Sequence, residues 1–210
     1  MTGTSDEAEV ARKLFAGPCD FIWGASSVDN LPPETLPEIA FVGRSNAGKS
    51  SLLNALTGRR ALARVSHTPG RTRQINFFNL GGKIVLADLP GYGYAKASRS
   101  LAEEWQNLIF AYLRGRAALR RVAVLIDARR GAMDTDREAM KLLDQAAVSY
   151  ALVLTKMDQL KPAERVKAEA DIAEEAKRHT AAYPEIFATS ALKDLGLDTL
   201  KTHLAALAAY

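Results

Sequence analysis

The residues best suited to chemistry lie in one short glycine-containing stretch, residues 43–50. It matches the pattern G-x-x-x-x-G-K-[ST], in which backbone N–H groups surround phosphate oxygens. The glycines allow the backbone to turn so that several N–H groups point inward. We expect Lys49 to reach the β- and γ-phosphates of a nucleotide and the Ser50 hydroxyl to bind Mg²⁺. The stretch consists of Gly43, Arg44, Ser45, Asn46, Ala47, Gly48, Lys49 and Ser50.

The residues on either side decide between this phosphate loop and an ordinary glycine turn. Residues 38–42 read Glu-Ile-Ala-Phe-Val, an apolar strand pattern. Leu52, Leu53 and Leu56 have the spacing of one helix face. A strand before the loop and a helix after it are the context that the motif requires, and the helix adds the positive end of its dipole. The sequence therefore favours a phosphate-binding loop.

A second group of residues is suited to recognising a guanine base. Residues 155–158 follow the apolar run 151–154, and residues 189–191 follow a short strand pattern at 185–188. The Asp158 carboxylate can accept hydrogen bonds from guanine N1–H and its amino group, whereas adenine presents an acceptor at N1; polar pairing of this kind discriminates by about 10⁴ or more. The stem of Lys156 would cover one face of the base. Each string alone is more typical of a solvated loop, but their order and their positions at strand ends favour guanine. The predicted base-reading residues are Thr155, Lys156, Met157, Asp158, Thr189, Ser190 and Ala191.

Two further segments are predicted to contact the γ-phosphate and its metal. Asp88 ends a strand pattern and would hold Mg²⁺ through water, and the Gly91 amide would approach the γ-phosphate. The Thr72 hydroxyl is the candidate for the second direct Mg²⁺ ligand beside Ser50. Such segments are ordered by the γ-phosphate and released on hydrolysis, although either could instead be a β-turn. The predicted catalytic groups are Lys49, Thr72 and Gly91, and the predicted contacts here are Gly70, Arg71, Thr72, Arg73, Gln74, Asp88, Leu89, Pro90 and Gly91.

The residue after Gly91 indicates slow intrinsic hydrolysis. Many GTPases place a water-orienting glutamine there, but this chain has Tyr92. The Asn46 side chain suggests the hypothesis that a potassium ion bound against the phosphates supplies positive charge, with Arg71 and Arg73 as alternative cationic groups. Equal turnover in matched sodium and potassium salts would contradict the potassium hypothesis.

The elements that must position these residues alternate between strand and helix patterns. This alternation predicts an α/β fold of the P-loop NTPase type, with a mostly parallel six-stranded sheet, one antiparallel edge strand and helices on both faces. Gly81 and Gly82 predict a tight hairpin. We expect a short, flexible N-terminal extension over 1–20, beginning as a loose tail over 1–10, and a single nucleotide-binding domain over 21–210, with 21–26 as a possible additional strand. The predicted helices are 101–113, 134–146, 162–177 and 195–208.

Composition limits the class of protein. The 210 residues suit one domain, and 48% hydrophobic with 25% charged residues is typical of a soluble globular chain. Cys19 is the only cysteine, so an internal disulfide is excluded and a reducing cytoplasm is expected. No apolar run approaches the ~18 residues that span a bilayer. The net charge of +4 is compatible with a nucleic-acid partner without requiring one. We expect a monomer.

Three stretches resemble the bacterial EngB (YihA/YsxC) family, within the TrmE-Era-EngA-YihA-Septin class of GTPases. They are residues 38–56, residues 68–78 (Thr-Pro-Gly-Arg-Thr-Arg-Gln-Ile-Asn-Phe-Phe) and residues 88–95 (Asp-Leu-Pro-Gly-Tyr-Gly-Tyr-Ala). The resemblance implies a Mg²⁺-dependent GTPase that converts GTP to GDP and acts as a switch in assembly of the large (50S) ribosomal subunit. Normal cell division and septation would depend on it. Thr155 stands where asparagine is commoner among GTPases, but members of this family also carry threonine there.

The resemblance implies a precursor of the large ribosomal subunit and its rRNA as partners. An alternative is a nucleotide-dependent binding module that acts directly on cell-division proteins, with incidental hydrolysis. Six arginines could contact rRNA phosphates if they face one side, or they could form an ordinary solvated surface. They are Arg114, Arg116, Arg120, Arg121, Arg129 and Arg130.

Overall fold

The computed structural model describes residues 3–60, 62, 74–92 and 99–209, and these form one seven-stranded sheet with helices on both faces. The strand order is β1-β3-β4-β2-β5-β6-β7. The strands are β1 (Cys19–Ala25), β2 (Glu38–Gly43), β3 (Ile75–Leu80), β4 (Ile84–Asp88), β5 (Leu119–Asp127), β6 (Tyr150–Thr155) and β7 (Ala182–Ala188). The helices are α1 (Gly3–Ala16), α2 (Lys49–Thr57), α3 (Arg99–Gly115), α4 (Asp134–Gln145), α5 (Pro162–Ala176) and α6 (Leu197–Ala206).

Five neighbouring strands, β4, β2, β5, β6 and β7, run parallel. Every residue of β2, β4 and β6 is buried, as expected for strands that carry helices on both faces. The carboxyl ends of these five strands meet at one edge of the sheet, which we call the carboxyl edge. Ligands bind outside this edge in parallel α/β sheets, so the fold directs attention there.

The α/β P-loop class predicted from the sequence is confirmed, but the strand count and the position of the antiparallel strand were wrong. The sheet has seven strands rather than six. The antiparallel strand β3 pairs with both β1 and β4, so it lies second from the edge and β1 covers it. The side chains of Phe21, Ile22 and Trp23 are exposed, and the register shifts between Phe21 and Trp23. The additional strand considered over 21–26 is thus confirmed as β1, although it begins at Cys19 and, being exposed and bulged, lacks the alternation that marks a strand in sequence.

The beginning of the chain is helical from Gly3, not the loose tail expected over residues 1–10. Ala11, Leu14 and Phe15 share one face of α1, and Ala11 and Phe15 are each only 1% exposed. This face packs against α6. Burial of that apolar stripe stabilises a helix that would be marginal alone. Cys19 and Asp20, assigned to the extension, belong to β1, where Cys19 is buried.

Two apolar layers hold the sheet between its helices. One joins α3, α4 and α5 to one face, and the other joins α1, α2 and α6 to the opposite face. Among the helices in the described part of the chain, none combines the length and apolarity that crossing a bilayer requires.

Candidate nucleotide-binding site

The phosphate loop, residues 43–50, joins the carboxyl end of β2 to the start of α2. Asn46 has φ 66° and Gly48 has φ 93°, and this alternation turns successive N–H groups toward one side of the loop. Helix α2 begins without a side-chain cap. Within the ranges that the structure describes, the amides of Asn46, Gly48, Lys49 and Ser50 donate to no backbone acceptor. An uncapped helix start with a ring of free donors is an anion-binding arrangement.

Two glycines are required by this geometry. Gly48 occupies the left-handed region, where a side chain would be strained. A Cβ atom on Gly43 would lie 3.0 Å from the Leu125 carbonyl oxygen of the neighbouring strand. A larger residue at position 43 would therefore press on the backbone of β5 and force it to shift.

The Lys49 ammonium forms an ion pair with the Asp88 carboxylate at the carboxyl end of β4. Both side chains are largely buried, at 14% and 9% exposure. Asp88 pairs in register with Phe41 of β2, which places it beside the phosphate loop. An incoming phosphate would compete with Asp88 for the lysine.

The oxygen donors at this position fit a magnesium ion. Ser50 and Asp88 offer a hydroxyl and a carboxylate, the hard ligands that Mg²⁺ prefers. The described residues contain no group of three or more His, Cys, Asp or Glu side chains that could hold a metal alone. An ion here would therefore complete its shell with phosphate oxygens and water, as Mg²⁺ commonly does.

Residues 155–158, which we call the base loop, are tied to the phosphate loop by two side chains. The Thr155 hydroxyl donates to the Ala47 carbonyl oxygen at 2.6 Å. The Lys156 ammonium donates to the Asn46 carbonyl oxygen at 2.5 Å and to Asp127 Oδ2 at 2.8 Å. These contacts fix the distance between the loop that would hold phosphates and the loop that would read the base.

The Asp158 carboxylate is oriented by a neighbouring buried hydroxyl. Ser190 Oγ donates to Asp158 Oδ1 at 2.6 Å, and Ser190 is fully buried. Thr189 is anchored in turn, because its amide and its hydroxyl both donate to the Leu154 carbonyl oxygen, at 2.7 and 2.8 Å. The second carboxylate oxygen of Asp158 thus remains available to a ligand. A cavity of about 180 Å³ opens here; its lining includes Gly48, Thr155, Lys156, Asp158, Ala191 and Leu192.

Several predicted residues serve the core rather than the cavity. Met157 and Leu89 are each 1% exposed and belong to the apolar layer beside α3, α4 and α5. Pro90 is also buried. Gln74 is exposed, and its side chain donates to Asn76 Oδ1 at 2.8 Å. The predicted Gly70, Arg71, Thr72 and Arg73 lie outside the described residues.

Sequence reasoning missed Asp127, which ends β5 at the same edge. Burial alone would raise the pKa of this carboxyl, but hydrogen bonds from Arg129 and Lys156 hold it well below its usual value. The Arg129 guanidinium donates hydrogen bonds to both carboxylate oxygens of Asp127, at 2.8 and 2.6 Å. A cavity of about 260 Å³ lies between this pair and the phosphate loop, and Arg44 and Arg130 also line it. The position of Asp127 directly after an apolar run, like that of Asp88, was a signal that could have identified it.

The six arginines proposed as one rRNA-facing set do not share a face. Arg129 and Arg130 follow β5 at the carboxyl edge, whereas the other four precede it or lie at its start, at the opposite edge. Arg116 is a buried ion-pair partner of Glu38, with 5% of its side chain exposed. Strand β5 separates the two groups by its whole length, so no single surface contains them.

Comparison with known proteins finds two overlapping GTPase family models and curated relatives that share one name. Residues 38–156 match the family model described as "50S ribosome-binding GTPase", and residues 110–209 match the "Elongation factor Tu GTP binding domain". The chain is 52% identical over 205 residues to the "Probable GTP-binding protein EngB" of Gluconobacter oxydans (strain 621H), covering 98% of this chain and 90% of that protein. It is 53% identical over 204 residues to the protein of the same name from Caulobacter vibrioides (strain NA1000 / CB15N), covering 97% and 89%.

Solved structures share the fold. A crystal structure of a probable GTP-binding protein engB superposes with a TM-score of 0.66 at 22% identity, over 82% of this chain and 98% of that chain. At that identity the likeness concerns the fold. Era in complex with MgGDPNP and nucleotides 1506-1542 of 16S ribosomal RNA superposes with a TM-score of 0.65 at 28% identity, over 83% of this chain and 57% of that chain.

Proposed function

Because this chain belongs to the EngB family of GTP-binding proteins, we propose that it is a Mg²⁺-dependent GTPase that acts as a switch in assembly of the large (50S) ribosomal subunit. One observation carries the nucleotide assignment. The free amides of the uncapped phosphate loop and the oriented Asp158 carboxylate are linked by the hydrogen bonds of Thr155 and Lys156 at one edge of the sheet. This spacing suits a molecule with phosphates at one end and guanine at the other.

The chain's own groups have distinct tasks in this proposal. Lys49 exchanges Asp88 for the β- and γ-phosphates, and the four phosphate-loop amides that lack a backbone acceptor donate to the same oxygens. The Gly91 amide donates to the γ-phosphate, and the phosphate-loop lysine stabilises the charge that develops during transfer. Ser50 and Thr72 would hold Mg²⁺ directly, and Asp88 would hold it through water. A bound Mg²⁺ neutralises charge on the phosphate oxygens.

Hydrolysis is expected to be slow without a partner. The Tyr92 hydroxyl donates to Asp136 at 2.8 Å, so the side chain points toward α4 and cannot orient an attacking water. The exposed Asn46 remains the proposed site of potassium stimulation. Turnover should then be faster in potassium than in sodium salts.

The ribosomal role rests on the comparisons. The matching family model is described as a 50S ribosome-binding GTPase, and this description supports the large subunit. Era, a related fold, was solved with 16S ribosomal RNA, which supports contact with ribosomal RNA in general. We propose that this protein, as a cytoplasmic monomer, docks on a large-subunit precursor and its rRNA in one nucleotide state. Effects on cell division and septation would follow from that role.

Nucleotide titration of wild type and Asp158→Asn tests the base assignment. Wild type should bind GTP and GDP in the presence of Mg²⁺ and reject ATP, because only guanine offers two donors to the carboxylate. Asp158→Asn should lose guanine affinity and gain xanthine affinity, since xanthine offers an acceptor where guanine has its amino group. Asp198→Asn is the matched control, because Asp198 lies exposed on α6.

Equal binding of ATP and GTP by wild type, or an unchanged base preference in Asp158→Asn, would contradict the assignment. Binding to large-subunit precursors in each nucleotide state then tests the ribosomal role. Association with division proteins in nuclease-treated extracts, without association with ribosomal particles, would contradict it.

A further inference from the structure

The residue that replaces the usual glutamine is anchored to a helix outside the phosphate loop. Tyr92 is half-buried, and its hydroxyl donates to Asp136 Oδ1 in the first turn of α4 at 2.8 Å. Asp136 is 2% exposed, and its other oxygen accepts the Met133 amide at 2.8 Å. The carboxylate is therefore fixed by the helix start that it caps, so it provides a rigid anchor.

The backbone of the same residue is paired with the phosphate loop. The Tyr92 amide donates to the Gly43 carbonyl oxygen, and the Ser45 amide donates to the Tyr92 carbonyl oxygen, both at 3.3 Å. Upstream, the Leu89 amide donates to the Phe41 carbonyl oxygen at 3.0 Å. The segment 88–92 thus continues the parallel pairing of β4 with β2 beyond the end of both strands.

Gly91 lies between these two anchored amides and keeps its own donor free. Among the residues that the structure describes, the Gly91 N–H has no hydrogen-bond acceptor. A Cβ atom at this position would lie 3.0 Å from the Gly43 carbonyl oxygen and 3.4 Å from the Ser45 nitrogen. The segment is therefore held so closely against the phosphate loop that a side chain at position 91 would press on the backbone of that loop, and the Gly91 amide remains available to a ligand.

We propose that Tyr92 is a positioning residue that acts through Gly91: its hydrogen bond to Asp136 holds the segment 88–92 on the phosphate loop, so that the Gly91 amide is preorganised for a γ-phosphate. The inference rests on the proposed function and extends it to α4, which becomes part of the apparatus that senses the third phosphate. A donor that is already in place costs no reorganisation when the ligand arrives.

The hydroxyl is suited to anchoring and unsuited to proton transfer. Burial, reinforced by the nearby Asp136 carboxylate, holds the pKa of Tyr92 far above its usual value. The hydroxyl consequently stays protonated and donates at every working pH. Its ring also packs against the apolar layer that contains Met140 of α4.

Tyr92→Phe tests this inference, because it deletes the hydroxyl and keeps the ring. The affinity for a non-hydrolysable GTP analogue should fall about tenfold, which corresponds to the loss of one hydrogen bond to a charged group. The affinity for GDP should remain within about twofold, since GDP has no γ-phosphate for Gly91, and kcat should fall with the affinity for the analogue. Tyr150→Phe is the control: Tyr150 is fully buried, and its hydroxyl has no partner among the described residues.

Asp136→Ala provides a second variant, in which the carboxylate that accepts the Tyr92 hydroxyl is removed. It should show the same selective loss of affinity for the GTP analogue, and combining it with Tyr92→Phe should add little, because both changes break one contact. If each side chain acted separately, the losses of affinity for the GTP analogue would add in the double variant.

Four outcomes would overturn the inference. Equal losses of GDP and analogue affinity in Tyr92→Phe would indicate a general structural role, and a gain of analogue affinity would mean that the contact blocks the site. No change in either affinity, with guanine selectivity intact in wild type, would contradict the positioning role alone. A wild type that binds ADP as well as GDP would instead contradict the proposed function, and this inference with it.

Discussion

At the scale of single residues, the candidate site is built from polar side chains that are buried but paired. Thr155 is 4% exposed, and Thr189 and Ser190 are fully buried. Each hydroxyl donates to a carbonyl oxygen or a carboxylate at 2.6 to 2.8 Å. Burying an unpaired hydroxyl costs free energy, and a different loop conformation would leave these hydroxyls without their acceptors. Each hydrogen bond therefore favours the observed conformation of the loops. They hold the ligand-facing groups in place.

Ser190→Ala should weaken guanine-nucleotide binding without changing the base preference. The substitution removes the donor that orients Asp158 and the acceptor of the Lys193 amide, at 3.1 Å. Hydrogen bonds to charged groups contribute about 1.5–3 kcal/mol, so GTP and GDP affinities should both fall at least about tenfold in a fluorescence titration. Thr202→Ala, which removes an exposed helix hydroxyl, is the control. Unchanged affinity in Ser190→Ala would show that Asp158 needs no orienting partner.

At the scale of secondary-structure elements, a buried ion pair joins α3 to the sheet at the edge opposite the candidate site. The Arg116 guanidinium contacts both oxygens of Glu38, at 2.5 and 3.0 Å, and also donates to the Pro32 carbonyl oxygen at 2.7 Å. The Tyr112 hydroxyl donates to the same carboxylate at 3.0 Å. The end of α3, the start of β2 and the proline-rich segment before it are thereby fixed together.

Arg116→Ala should destabilise the fold while leaving the site intact. It leaves Glu38, which is 1% exposed, as an unpaired buried charge. Breaking such a pair costs about 3–5 kcal/mol, measurable as a lower free energy of unfolding in urea. Arg116→Lys should not restore the stability, because lysine cannot make the two-pronged contact. Arg120→Ala, an exposed neighbour, should change stability by less than about 0.5 kcal/mol. A loss in Arg116→Ala no larger than in that control would contradict the account.

The same pair illustrates what local sequence could not predict. Arg116 resembles its neighbours Arg114 and Arg120 in sequence, and only the fold brings Glu38, 78 residues earlier, into contact with it. Helix α1 was missed for a similar reason, because its apolar face is completed by α6 from the other end of the chain. Local signals predicted other elements correctly. The continuous apolar runs predicted strands β2, β5 and β6, and the glycine pair before Lys83 predicted the turn between β3 and β4.

The candidate site shows the same difference between features that local sequence predicts and features that depend on contacts made by the fold. Within the described residues, the phosphate loop and the base-reading segments lie at the strand ends that were predicted for them, because each follows an apolar run and parallel strands bring their ends together. Met157 and Leu89 occupy motif positions but fill the core, which the motif alone does not reveal. Asp127 lacks a recognised motif, and its contact with Lys156 depends on the neighbouring strand.

At the scale of the whole molecule, the two edges at which the strands end carry different residues. The carboxyl edge contains the phosphate loop, the base loop, Arg129, Arg130 and the start of α4. The opposite edge contains the exposed Arg114 and Arg120 and the buried Glu38 pair. A nucleotide can change the affinity for a partner only where its presence alters the contacts, so a switch surface should adjoin the carboxyl edge.

This asymmetry predicts which exposed arginine takes part in nucleotide-dependent docking on an RNA-containing particle. Arg130 follows β5 beside the phosphate loop, and Arg120 lies at the other end of the same strand; both are exposed and basic. Arg130→Gln should weaken binding to large-subunit precursors in the presence of a GTP analogue, and the log–log salt slope should become shallower by about 1, because one phosphate contact is lost. Arg120→Gln should leave both unchanged. Binding measured between roughly 50 and 200 mM salt gives the slope of the log binding constant against log salt for each variant. A parallel nucleotide titration serves as the control and must show unaltered nucleotide affinity in each variant. If Arg120→Gln weakened docking as much as Arg130→Gln, the partner would also bind the edge that lies away from the nucleotide. Binding at that edge would not depend on the γ-phosphate, so the prediction would be wrong.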